Sequence, residues 1–205
     1  MEGFIDINSM VKRAKGILLD PKQEWLLIAE EKTEHTKVFL SWVLPLSLIP
    51  AVAAFIGFGF IGYSVPTLVG TVHVASFNLG LRQALLQLVA ITSGAYLTAL
   101  IINALAEKYS SEKNLDRAFA LTAYSYAPAC LGGIFQIIPS LAFIGSLAGL
   151  YGLYLLYIGL SPLMKTPPEK NTGYFVVSLL CTIGVFIVLS IVLAAIFVPR
   201  MTWRV

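Results

Sequence analysis

The sequence predicts an all-α, polytopic membrane protein: a five-helix transmembrane bundle preceded by short N-terminal amphipathic helices. Three observations carry this expectation. Five long runs are almost free of charge: Val38–Gly62, Gln83–Ala106, Ala118–Ile137, Ser140–Leu160 and Tyr174–Val198. The chain is 58% hydrophobic and only 12% charged. Its charges are also sorted by segment. If five spans alternate across a membrane, all eleven acids, all nine lysines, Arg13 and Arg117 share one side. Only Arg82, Arg200 and Arg204 fall on the other.

Each run is about 20–25 residues, enough for a helix rising about 1.5 Å per residue to cross a hydrocarbon core of about 30 Å. A soluble helix rarely stays apolar on every face for that long. Inside lipid only helices or closed barrels satisfy the backbone, and the alternation a barrel needs is absent. Eleven basic residues against three place the N-terminus in the cytoplasm and the C-terminus outside. The net charge of +3 resides in the three outer arginines. The cytoplasmic side sums to zero, so neither a nucleic-acid surface nor a polybasic lipid-binding patch is expected.

Residues 1–37 read as a cytoplasmic amphipathic segment, 38–198 as the five-span domain and 199–205 as a short outer tail. The first segment carries seven acids and no uninterrupted apolar core, so it is not expected to be a signal peptide. Asn8 or Ser9 caps a first helix, Met10–Leu19, whose Met10, Val11, Ala14, Ile17 and Leu18 share a face. Asp20-Pro21 followed by Gln23 starts a second helix, Pro21–Lys32, with Trp25, Leu26, Ile28 and Ala29 on one side. Two placements suit this pair: at the headgroup level with Trp25 as an interfacial anchor, or packed on the protein's own cytoplasmic loops.

In the first span Pro45 and Pro50 each remove a backbone donor and favour a kink. Its end, Gly57-Phe-Gly-Phe-Ile-Gly62, matches a GxGxxG pattern. No strand or βαβ context surrounds it, so close helix packing explains those glycines better than a nucleotide. The outer loop Tyr63–Arg82 is mostly apolar, with Val65, Leu68, Val69, Val72 and Val74, and is expected to fold back on the outer surface. The charged loop Glu107–Arg117 follows the second span. Pro139 centres a tight hairpin joining the third and fourth spans. The fourth carries Gly145, Gly149 and Gly152, a small-residue face suited to packing within the bundle. Lys165-Thr-Pro-Pro-Glu-Lys170 is a stiff polar connection, and Trp203 stands between two arginines in the tail.

No enzyme signature emerges, so no catalytic residue, cofactor or metal site is expected. His35 and His73 have no second histidine at ligand spacing, and there is no HExxH. Cys130 and Cys181 lie inside spans and read as small core residues. Ionisable groups within spans would be functional candidates, and the runs hold essentially none. Polar residues therefore remain. Gln87, Thr92, Tyr96 and Asn103 punctuate the second span, with Glu107 one turn beyond Asn103. Tyr124, Ser125 and Tyr126 precede Pro128 in the third, where the proline frees the Tyr124 carbonyl and Ser125 is placed to bond back to the helix. The candidate polar cluster is Asn103, Glu107, Tyr124, Ser125, Tyr126 and Pro128. Hydrogen-bond glue between helices is the favoured reading, and the lining of a solute path the sharper one.

The run Leu121-Thr-Ala-Tyr124-Ser-Tyr-Ala-Pro128, the proline hairpin and Gly149-Leu-Tyr-Gly-Leu-Tyr154-Leu-Leu-Tyr-Ile-Gly159-Leu resemble the Yip (Ypt-interacting protein) membrane-domain family. The segment Leu18-Leu-Asp-Pro21-Lys-Gln-Glu-Trp25-Leu-Leu-Ile-Ala29 looks like its bacterial branch. The resemblance covers about residues 12–198 and implies five spans with a cytoplasmic N-terminus, in a bacterial inner membrane. Eukaryotic members are associated with Rab-type GTPases, vesicle transport and membrane shaping. Their Asp-Leu-Tyr-Gly-Pro stretch before the first span is missing here, and the family offers no catalytic residue to carry over. The expected function is that of a non-enzymatic membrane-organising or protein-recruiting protein. Its partners would be the lipid bilayer and a second copy or another membrane protein. The alternative is a small-solute or ion transporter or channel, its site in the cytoplasmic half of the second and third spans, its ligand unknown.

Overall fold

The structure, a computed structural model, describes residues 6–32, 34–67 and 70–197. Leu68, Val69, Val198 and the tail 199–205 with Trp203 lie outside the described residues. Five helices are long and apolar enough to cross a membrane: His35–Ile61, Phe77–Tyr109, Leu115–Ile137, Pro139–Met164 and Pro168–Val192, the last running on helically to Phe197. They form the expected polytopic bundle, but helix does not stop at the edge of an apolar run. It continues until a cap or a turn residue ends it. The second helix starts at Phe77, so Arg82 lies within it and not in the preceding loop. The fourth runs to Met164, where Lys165 adopts a left-handed conformation (φ 51°), and the fifth restarts at Pro168. The expected polar connection Lys165–Lys170 shrinks to Lys165–Pro167.

The prolines of the first span act through widened turns. A π-helical turn, Phe39–Val43, precedes Pro45 and relieves the clash its ring would make with the turn before it, while Pro50 stays within the α-helix Leu44–Ile56. A second π-turn, Gly57–Ile61, ends at Gly62 (φ 73°). The expected fold-back loop is in fact a hairpin: β1 (Tyr63–Thr67) pairs antiparallel with β2 (Gly70–Val74), Tyr63 opposite Val74. Alternating β-branched residues favour this ribbon, which stands exposed at the charge-poor end.

The third span is the most buried of the five. It is helical from Leu115 to Ser125, breaks at Tyr126, resumes over Ala127–Gly132 and tightens into a 3₁₀ turn, Gly133–Ile137. Pro128 opens the second piece, as its missing N–H requires. The break leaves carbonyls without their usual helical donors, and the first span supplies one: Trp42 Nε1 donates to the Ala123 carbonyl at 3.1 Å.

Small residues set the helix crossings. Gly59 lies against Gly80 between the first and second spans, and Gly132 against Gly145 across the Pro139 hairpin. Gly57 sits beneath the Gln136 and Ile137 carbonyls. The GxGxxG match and most of the fourth span's small face are therefore packing devices. Gly149 is the exception, since a Cβ there would meet only Ala129, at 4.0 Å.

Two short helices complete the fold at the charge-rich end. α1 (Ile7–Leu19) begins three residues before the expected start because Asp6, not Asn8 or Ser9, is its cap: the Asp6 carboxylate accepts from the Asn8 amide at 3.0 Å. α2 (Pro21–Glu30) starts at Asp20-Pro21 as expected.

Candidate functional site

The helix pair α1–α2 is docked on the bundle, which settles its placement at the charge-rich end. Ile17, Trp25 and Ile28 are buried at 0%, 1% and 2% exposure. Trp25 lies over Gly159 and Leu121 and meets Tyr124 edge-on, with ring centroids 6.4 Å apart. It is thus a core residue, not an interfacial anchor. A flat, rigid ring facing a glycine gains far more contact there than at a lipid headgroup. Tyr151 Oη donates to the Leu18 carbonyl at 2.9 Å, occupying an acceptor that the end of α1 leaves free.

Arg13 joins both helices to the third span. Its guanidinium donates to Glu24 at 2.7 Å and to Glu31, and its centre stands 5.6 Å from the centroid of the Tyr124 ring. Burial disfavours its charge, but the hydrogen bond to Glu31 and the neighbouring carboxylates outweigh that and hold its pKa above the ordinary value. By charge alone Arg13 groups with its neighbours Lys12 and Lys15 on a polar face of α1. The available signal was its place one turn before Ile17, on the same side of α1.

The six residues of the predicted polar cluster do not come together. Tyr124 faces Arg13, Trp25 and Trp42, the last at 4.9 Å between centroids. Ser125 and Tyr126 instead line a partly open cavity of about 250 Å³ among the second to fifth spans, together with Gln87, Cys130, Gly149 and Phe186. Tyr126 Oη pairs with Thr98 Oγ1 at 3.1 Å. Ser125, expected to bond back to its helix, has a buried Oγ without a partner. Pro128 is buried beside the break. Asn103 Oδ1 is buried and unpaired elsewhere in the second span, and Glu107 is exposed, paired with Lys113 at 3.1 Å. The break at Tyr126 turns successive residues to different neighbours, so closeness in sequence does not gather them.

The connections at the charge-rich end form a second unit. The Glu112 amide donates to the Met164 carbonyl at 2.8 Å, and the Glu112 carboxylate accepts from Lys165 at 2.7 Å and Arg117 at 3.3 Å. Ser111 and Thr166 share a hydroxyl bond of 2.9 Å. The hydrogen bond from Lys165, with the Arg117 charge behind it, holds the Glu112 carboxyl below its ordinary pKa against slight desolvation. A carboxylate with a depressed folded pKa contributes stability above its unfolded pKa and loses it as pH falls through the folded value. Protection of the Glu112 amide from hydrogen exchange, corrected for intrinsic rate, should therefore drop as pH falls below about 4. In Glu112→Gln that pH dependence should disappear.

His35, unpartnered in the sequence reading, meets Asp116: both its amide and Nδ1 contact Oδ1, at 2.8 and 2.6 Å. The pair is 81 residues apart in sequence, which left no local signal. Among the described residues no group of three or more His, Cys, Asp or Glu side chains is placed to hold a metal ion.

Comparison with known proteins gives a consistent picture. Inner membrane protein YohC of Escherichia coli strain K12 is 28% identical over 182 residues, covering 87% of this chain and 91% of its own. The protein of the same name from Escherichia coli O6:H1 strain CFT073 aligns equally. No solved structure matches the chain. The Yip1 domain profile matches residues 15–197, from the middle of α1 to the end of the fifth span. The chain belongs to the Yip1 domain family.

Proposed function

We propose that this protein is a non-enzymatic organising protein of the bacterial inner membrane, presenting a rigid recruiting platform on its cytoplasmic side. The observation that carries this reading is the docking of α1–α2 through Trp25 and Arg13. With their inner faces engaged in the bundle, the helices hold Leu19, Leu26 and Leu27 exposed in a fixed arrangement. These exposed leucines are interspersed along the two helices with charged residues of both signs, the mixture of apolar anchors and polar neighbours that interaction surfaces use. The sorting of charge supports a cytoplasmic N-terminus, and the similarity to an inner membrane protein of Escherichia coli supports the inner membrane. The partner class is a second copy or another membrane protein.

Photocrosslinking from an unnatural residue at Leu26 in intact membranes tests the proposal. A reproducible crosslinked species, lost when the photoreactive residue is moved to the lipid-exposed Leu180, is expected. A lone monomer from Leu26 and from neighbouring Lys22 would sink it.

One observation favours the solute-path alternative, the cavity beside Ser125 and Tyr126. Its lining lacks both Asn103 and Glu107 and contains no carboxylate, so no coupling group faces it. Proteoliposome exchange that responds to Tyr126→Phe or Gln87→Ala would revive that reading.

A further inference from the structure

A smaller, partly open cavity of about 150 Å³ lies between α1 and the start of the first span. Asp6, Ser9 and Arg13 line it from the α1 side, Ser41 and Trp42 from the first span and Tyr124 from the third. Its depth is that of lipid headgroups. Ser41 and Trp42 stand three and four residues past Val38, where the uncharged run begins. At about 1.5 Å per residue they are roughly 5 Å into that run, where headgroups meet hydrocarbon.

The free valences of this wall are mainly acceptors. The Ser9 hydroxyl donates its one hydrogen to the Asp6 carbonyl at 2.8 Å, and that of Ser41 goes to the Lys37 carbonyl at 2.7 Å. Each is left with lone pairs alone. The Asp6 carboxylate accepts one bond, from the Asn8 amide, and has room for more. Trp42 spends its N–H on the Ala123 carbonyl. Tyr124 is 6% exposed, yet its hydroxyl bonds to no described residue and, unlike that of Ser125, keeps accessible surface. Arg13 is the one cation in the wall, and Glu24 and Glu31 hold it. With Asp6, three carboxylates stand against that single guanidinium, so a cation is drawn in and an anion repelled.

We infer that this cavity takes the primary ammonium of an ethanolamine phospholipid, its N–H groups directed at the acceptors of Asp6, Ser9, Ser41 and Tyr124. A primary ammonium carries three donors and no acceptor, the complement of this wall. A choline headgroup has the same charge but no N–H to give, and a glycerol headgroup has no positive charge. The lipid is the source because the cavity lies at headgroup depth. The site needs α1 docked on the bundle but not its recruiting role, so the two readings stand or fall separately.

Native mass spectrometry of the full chain in detergent tests this, with phosphatidylethanolamine, phosphatidylcholine and phosphatidylglycerol of identical acyl chains titrated in turn. The ethanolamine lipid should be retained about tenfold more tightly than the other two, the factor for one hydrogen bond to a charged group. Tyr124→Phe keeps the ring against Trp42 and should lose most of that preference. Asp6→Asn keeps a good cap for α1 and should do the same. Ser41→Ala lies on the first span, outside the docking contacts of α1, and should lower the preference without loosening the helix pair. Free ethanolamine at the concentration of the lipid should not displace it. Displacement would assign the site to a soluble amine and overturn the lipid source. Equal retention of the choline or glycerol lipid, or an undiminished preference in all three variants, would overturn the site itself.

Discussion

Replacing Trp25 by alanine is expected to release the two N-terminal helices from the bundle. The ring is 1% exposed, and its indole N–H has no hydrogen-bond partner, so shape and apolar contact alone hold it. Removing a buried Trp side chain costs about 3–5 kcal/mol, more than the partly buried Arg13–Glu24 pair and the Tyr151–Leu18 bond are expected to retain. Limited proteolysis should then cut within residues 7–30 of the variant while the spans stay intact. Trp25→Phe, which keeps the ring and removes the unpaired N–H, should be far milder. Gly159→Leu should reproduce the alanine effect from the opposite side, since its Cβ would come within 2.6 Å of the Trp25 ring and of Leu121.

Alanine at Gly57 should destabilise the bundle, although alanine favours helix by about 1 kcal/mol over glycine. A Cβ there would stand 2.0 Å from the Gln136 carbonyl oxygen and 2.9 Å from that of Ile137. Both are backbone atoms near the Pro139 hairpin, where no side chain can swing aside. Overpacking costs about 1–3 kcal/mol where neighbours yield, and more is expected against fixed backbone. Gly80→Ala meets the Gly59 Cα and the Phe55 carbonyl, both at 2.6 Å, and should behave alike. Gly184 has nothing within 4 Å, so the same substitution there should stabilise. Thermal unfolding in one detergent should thus give opposite signs for chemically identical changes.

Much of this architecture is legible in the sequence because lipid imposes a simple rule: long uncharged runs cross it, and charges collect at their ends. The five spans, the Pro139 hairpin and the broken third span all follow from it. Capping explains the boundary errors. Asp6 outcompetes Asn8 and Ser9 at α1, and Lys165 ends the fourth helix beyond its apolar run. The hairpin β1–β2 was hidden because its valines read equally well as an apolar loop.

The candidate site was harder to see. Tyr124, Ser125 and Tyr126 are adjacent in sequence, yet the break at Tyr126 sends the first to Arg13 and the other two to the cavity. Which residue faces which neighbour depends on the break angle and on Trp42, 81 residues away from the carbonyl it binds. Long-range pairs such as His35–Asp116 and Arg13–Tyr124 are set by tertiary packing, which no local spacing encodes.

A recruiting platform must hold its shape, which requires the helix pair α1–α2 to be a fixed part of the bundle's charge-rich face. Hydrogen–deuterium exchange of the full chain in nanodiscs reads this directly. Amides of residues 10–30 should be protected in the natural protein and exchange freely in Trp25→Ala, with the spans protected in both. Fast exchange of that segment in the natural protein, or undiminished protection in the variant, would contradict it.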